Sequence, residues 1–234
     1  MWSQMSGLGW VAAAAASFVG THFLLSHPLR RPMVARLGEA GFLGVYSAVA
    51  AVTIGLLVVA YLAAPRGQPL WPVGSGIWAV ATIVMLLASM LLLGSLIRNP
   101  ALPNPGAASV APETAKGVFA ITRHPMMWSF ALWGACHIAV YPYPPNIVLT
   151  TAIITLALVG AALQDQKKAS LQPEFWRAWQ ARTSYWPFQA IAAGRAGLGG
   201  FGLHVLAGGT VVWLAATWAH IPIAGWRAGI WRWI

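Results

Sequence analysis

Six histidines carry most of the chemistry open to this sequence: His22, His27, His124, His137, His204 and His220. Neutral imidazole ligates iron, copper or zinc, and it moves protons near neutral pH. Acids are scarce by comparison. The chain holds four, and only Glu39 and Asp165 approach the ends of apolar runs. That excludes a carboxylate-rich metal cage and weakens any proton relay built on acids. The single cysteine, Cys136, excludes an internal disulfide and a cysteine-rich metal or iron–sulfur site. It reads as a small packing residue. No glycine-rich phosphate loop follows a strand, and there is no serine elbow.

His22 and His137 stand inside apolar runs, where a polar side chain is costly and wants a partner. Either could make an interhelical hydrogen bond. Two helices giving one histidine each, with apolar walls, could also clasp a haem. His27 precedes Pro28 at the mouth of a run and reads as solvated, and His204 reads as structural. His220, just before Ile221 and Pro222, stays open between the two. The stretch ITRHPMMW, 121–128, differs in character. Pro125 suits the first turn of a helix, where its missing N–H costs nothing. Arg123 and His124 then sit at a positive helix N-terminus, a setting for a carboxylate, a phosphate or another anion. The plainer reading is an arginine reaching to lipid phosphates.

The elements that position these groups follow from composition. Of 234 residues, 59% are hydrophobic and 8% charged. Soluble domains carry about 25% charged residues, so a soluble fold of this length could not cover its surface. The chain reads as one polytopic, all-α membrane helix bundle over residues 1–234. Six runs are long enough to cross a bilayer: about 6–27, 41–64, 74–97, 118–140 (or from 125), 145–164 and 200–221. The first lacks a cationic n-region, so it reads as a retained helix rather than a cleaved signal. Lys and Arg number eleven in the loops after the first, third and fifth runs, against Arg66, Arg227 and Arg232 on the other side. That bias puts the basic loops in the cytoplasm of a bacterial inner membrane and both termini in the periplasm. It also accounts for the net charge of +10 without nucleic acid as a partner. Membrane lipid is the expected neighbour, with a membrane-protein partner and an apolar small molecule as further candidates. Several of the 14 tryptophans fall near the run ends as interface anchors. Trp176 and Trp179, three apart with Arg177 and Arg182 opposite, predict a short amphipathic helix near 171–182 on the cytoplasmic leaflet. The Pro-, Ala- and Gly-rich stretch 98–117 reads as a connector or lid.

Three segments together resemble the NnrU family of membrane proteins: THFLLSHPLRRPMVARLGEAGFLGVYS (21–47), GVFAITRHPMMWSFALWGACHIA (117–139) and ARTSYWPFQAIAAGR (181–195). The family takes its name from denitrification gene clusters and includes a haem b enzyme, the 15-cis-ζ-carotene isomerase. The resemblance implies haem b, with His22 and His137 as its metal ligands. It matches His124 to the histidine of the RHP motif, and Trp133 and His137 to the WxxxH setting. His220 matches a late histidine. His124 and His137 become the candidate catalytic residues, and Arg123 and Lys116 could hold haem propionates. The implied reaction is a redox-neutral cis–trans change of a polyene. Two departures stand out. The spacing from His22 to Leu29-Arg30 is one residue longer, and YLAAPRGQPLWP (61–72) lacks a further functional histidine. Depth alone favours His22 with His124, or His137 with His220; the resemblance implies His22 with His137.

RHPMM, followed by DQKKASLQPEFWRAWQARTSYWPF, is also similar to membrane methyltransferases acting on isoprenylcysteine and phosphatidylethanolamine. There the RHP histidine and a later acid help hold S-adenosylmethionine. His124 and Asp165 occupy those positions, while Met127 and Gln166 depart from the pattern. A third reading makes the chain a non-enzymatic assembly or electron-transfer partner of a membrane complex.

Overall fold

The structure is a computed structural model that describes residues 2–101 and 112–234, with side chains from Gly7 onward. The middle of the expected connector 98–117 lies outside the described residues. Every regular element described is helical. In order they are α1 (Trp2–Ser26), α2 (Arg30–Ala63), α3 (Ser75–Ser95), α4 (Val118–Ile121) and α5 (Pro125–Val140). Then come α6 (Pro144–Leu171), α7 (Pro173–Arg182), α8 (Gln189–Ala192), α9 (Leu203–Ala224) and a closing 3-10 turn, Gly229–Arg232. Among the described residues five helices are long and apolar enough to cross a membrane: Gly7–Ser26 of α1, and α2, α3, α6 and α9. The expected fourth run is divided. Its apolar part is α5, a shorter helix of 16 residues that starts at Pro125.

Two helices outrun their apolar stretches. α2 starts at Arg30 rather than near residue 41, and its backbone leaves helical geometry at Gly38 (φ 72°, ψ 171°). A glycine tolerates that conformation without the clash a Cβ would bring. Arg30 closes over the break, donating to Glu39 at 2.6 Å with its guanidinium 5.5 Å from the Phe42 ring. α6 continues past residue 164 through a polar last two turns to Leu171. Proline opens α5, α6 and α7, where its fixed φ suits a first turn. α9 ends on Gly225 in the left-handed region (φ 78°).

The chain packs as two compact units, Met1–Val73 with His137–Leu156, and Gly74–Cys136 with Ala157–Ile234. In the first, α1 and α2 run antiparallel. A Cβ at Gly7 would touch Pro65, whereas His22 meets Tyr46 further down. Val11, Ala15 and Phe18 bury one face of α1 at helical spacing against Leu57 and Ala64, joined by Ala152 of α6. Hydroxyls in these helices bond back to their own carbonyls, as Thr53 does to Val49 at 2.8 Å.

In the second unit α3 packs on α9, and small residues set the approach. A Cβ at Gly209 would lie 2.9 Å from the Met90 Cα, and one at Gly94 would lie 2.5 Å from a Val118 methyl. The closing turn caps this pair. Trp231 donates to the Leu214 carbonyl at 3.2 Å and to the Thr217 hydroxyl at 3.1 Å. The Arg232 guanidinium stands 4.7 Å over the Trp78 ring. The expected amphipathic helix is present as α7. Its tryptophan face, however, is buried in protein: Trp176 and Trp179 pack with Ala101, Ala115, Phe119 and Phe175. Protein side chains there offer the same apolar surroundings that a leaflet would.

Candidate functional site

The second unit gathers its polar groups where α5 begins. The chain leaves α4 through Thr122, which is extended, and enters α5 at Pro125. Backbone bonds tie this corner to the segment after α7. The Arg123 N–H donates to the Ser184 carbonyl, and the Phe188 N–H to the Ile121 carbonyl, both at 2.8 Å. The Thr122 hydroxyl donates to the Tyr185 carbonyl at 2.7 Å, and the Trp128 indole to the same oxygen at 2.9 Å. Arg123 and His124 are therefore held on two sides before any side-chain contact is counted.

Asp165, on the polar extension of α6, joins them. Arg123 donates from Nε to both carboxylate oxygens, at 3.0 and 2.7 Å, and also from its second NH2 group. His124 Nε2 lies 2.7 Å from Oδ1. Side-chain exposure is 11% for Arg123, 11% for Asp165 and nil for His124, so water does not screen the trio. The carboxylate accepts on both oxygens from charged or polarised donors, which is the condition under which a buried ion pair is tolerated. Nearby, the Tyr185 phenol donates to the Leu158 carbonyl at 2.7 Å. Burial raises its pKa and the Asp165 charge adds to that, while Arg123 opposes, so it stays a neutral donor.

The pairing fixes the histidine's chemistry. A nitrogen facing a carboxylate carries the proton, so the opposite nitrogen of a neutral ring is an acceptor. That atom, His124 Nδ1, is buried and has no hydrogen-bond partner. The indole N–H groups of Trp176 and Trp179 are buried and unpartnered as well. The His124 ring lies 6.5 Å from Trp176 and 5.9 Å from Tyr185. A histidine backed by a carboxylate is how proteins orient an imidazole for ligation or proton transfer.

The other sequence candidates are placed as follows. Lys116 is exposed beside this corner, and Arg123 spends its guanidinium on Asp165. In the first unit, His22 is half-buried between Phe18 (ring centroids 4.5 Å) and Tyr46 (5.5 Å). Its Nδ1 donates to the Phe18 carbonyl at 2.7 Å, which leaves Nε2 as the ring's acceptor. His137 sits in the last turn of α5, where its carbonyl accepts from the Asn146 amide at 3.0 Å. Asn146 lines a pocket with Tyr61 and Ala64, at the Gly7 end of α1. His22 lies roughly 20 Å along α1 from that end, at 1.5 Å rise per residue. The His22 and His137 backbones thus stand at different levels of the unit. His220 Nδ1 donates to the Ala216 carbonyl at 2.8 Å. Among the described residues no three His, Cys, Asp or Glu side chains gather as a metal cluster would require.

Spacing marks Arg123 and His124 but not the link to Tyr185 and Trp176. The available signal is economy of charge: with four acids in the chain, an arginine at the mouth of an apolar run has few possible counterions. Asp165 is the single acid of α6.

These features define a polytopic helical membrane protein with an enclosed Arg–His–Asp cluster at the head of one helix. A family model described as NnrU protein matches residues 10–228, and the chain belongs to the NnrU family. No curated protein and no solved structure matches it.

Proposed function

We propose that this NnrU-family protein binds haem b through His22 and acts on an apolar substrate reached from the bilayer, with cis–trans isomerisation of a polyene as its reaction class. The observation that carries this reading is the His22 ring. Its Nδ1 proton is held by the Phe18 carbonyl, so Nε2 presents a lone pair, the state required of a metal-ligating imidazole. Phe18 and Tyr46 fix the plane of the ring edge-on. Leu24, Leu43 and Val45, exposed on the same pair of helices, supply apolar surface for a hydrophobic cofactor and substrate. When bound, haem would supply a Lewis-acidic or one-electron centre beside a double bond. His22 would hold the group on its Nε2 side. The orientation that accompanies this reading has basic loops in the cytoplasm of a bacterial inner membrane and termini outside.

The test is an absorption spectrum of the chain purified from haem-replete cells. Wild type and His137→Ala show a Soret band, and His22→Ala loses it. A colourless wild type, or a band indifferent to His22→Ala, overturns the reading.

One observation favours a second reading. His124 and Asp165, the positions that resemble a methyltransferase's S-adenosylmethionine-binding residues, are in direct contact. In that reading His124 and Asp165 hold the methyl donor at the cytoplasmic face. Calorimetric binding of S-adenosylmethionine to colourless protein, lost in His124→Ala, would establish it.

A further inference from the structure

At the end of α2 the first unit forms a small open cavity of about 60 Å³, lined by Tyr61, Leu62, Arg66, Tyr141, Tyr143 and Asn146 among others. Its walls are held by specific bonds. The connector carrying Arg66 is pinned by the Leu70 N–H to the Pro142 carbonyl at 2.9 Å and by the Trp71 indole to the Ala139 carbonyl at 3.2 Å. Asn146 spends its amide on the His137 and Tyr141 carbonyls, at 3.0 and 2.7 Å, and so fixes the facing wall. The Tyr141 and Tyr143 rings pack at 4.5 Å between centroids.

Into this cavity the chain places one charge, the Arg66 guanidinium, with no hydrogen bond or ion pair to any described residue. Around it stand phenols. Burial raises the Tyr141 pKa, and Arg66 opposes that, so near neutral pH the hydroxyl is a neutral donor. A guanidinium offers five N–H donors and no acceptor, and a tyrosine hydroxyl donates readily to an anion. Leu62, 75% exposed in the last turn of α2, adjoins the cavity on the apolar side. The site therefore lies where a membrane-spanning helix ends, at the depth of lipid headgroups, with Trp71 beside it.

We infer that this cavity is a phosphate site, which takes the phosphodiester of a phospholipid headgroup between Arg66 and the tyrosine hydroxyls. The acyl chains would leave along Leu62. Free phosphate offers the same oxygens, and the experiment separates the two sources.

The full chain, purified in a maltoside detergent, is titrated with short-chain phosphatidylglycerol, and bound lipid is counted by native mass spectrometry. Wild type keeps one tightly held lipid. Arg66→Gln lowers its occupancy about tenfold, the loss of one charged hydrogen-bonding partner, and Tyr143→Phe lowers it less. Arg31→Gln, an exposed arginine near the other end of α2, leaves it unchanged. Inorganic phosphate that binds alone, displaces the lipid and needs Arg66 makes free phosphate the ligand; phosphate without effect makes it the lipid. The inference fails if Arg66→Gln retains lipid as wild type does, or if Arg31→Gln loses as much. Melting curves of each variant identify any that lose lipid by unfolding, and Tyr143→Phe, which keeps the ring, then decides.

Discussion

Asp165 binds two partners at once, and among the described residues neither pairs with another acid. Removing it leaves Arg123 charged in a site with 11% side-chain exposure. Breaking a buried pair from one side costs about 3–5 kcal/mol, because the remaining charge has no compensation. Asp165→Ala should therefore lower the thermal midpoint in detergent by many degrees. Arg123→Ala should do nearly the same. The double variant should be less damaged than the sum of the two, since neither unpaired charge survives in it. Additive losses would show that the three side chains do not act together. Both ends of this cluster were visible in the sequence, the RHP corner through its proline and Asp165 through its rarity. Spacing alone did not show the contact between them, because 41 positions separate His124 from Asp165; only the methyltransferase resemblance brought the two to one site. For His22 and His137, residue type marked both as candidates for chemistry, but their levels along the unit depend on how α1 and α5 are staggered.

At the scale of elements, apolar run length located the helices and proline located several of their starts. The ends were harder to read. Arg30–Gly38 and Asp165–Leu171 are helical extensions too polar to register as membrane spans, and hydrogen bonding continues the helix where hydropathy stops. The spacing of Trp176 and Trp179 predicted α7 correctly. It could not tell whether protein or lipid would cover that face, because both are apolar. Packing between α3 and α9 turns on neighbouring glycines that respond differently. A Cβ at Gly208 would meet Leu93 at an ordinary 3.8 Å, whereas one at Gly209 would press on the Met90 backbone at 2.9 Å. Gly208→Ala should be tolerated or slightly stabilising, since alanine is the better helix former. Gly209→Ala should cost on the order of 1–3 kcal/mol through overpacking. Thermal unfolding of the two variants side by side checks this, and equal midpoints would mean that the helices do not approach so closely.

At the scale of the molecule, the family match runs from residue 10 to 228 and so passes through both compact units. The distribution of basic residues assigns the proposed orientation. With Cys136 replaced by serine, single cysteines at Arg31 or Arg177 should react with a membrane-impermeant maleimide only after the inner membrane is opened. Cysteines at Gln68 or Arg227 should react in intact spheroplasts. All four positions are exposed, so lack of labelling in intact cells reports sidedness rather than burial. The reverse pattern would invert the topology and place the Arg66 cavity on the cytoplasmic side.

The Arg123–Asp165 contact also has a history during synthesis. Arg123 leaves the ribosome ahead of Asp165, with all of α5 and most of α6 still to follow. In the proposed orientation, while α5 is being threaded into the bilayer the arginine is an uncompensated cation, and it would count toward holding its loop on the cytoplasmic side. Once α6 arrives the same guanidinium is neutralised and enclosed. One residue thus helps steer the nascent chain first and cements the finished bundle afterwards, so a substitution there should produce both misinserted and loosened molecules.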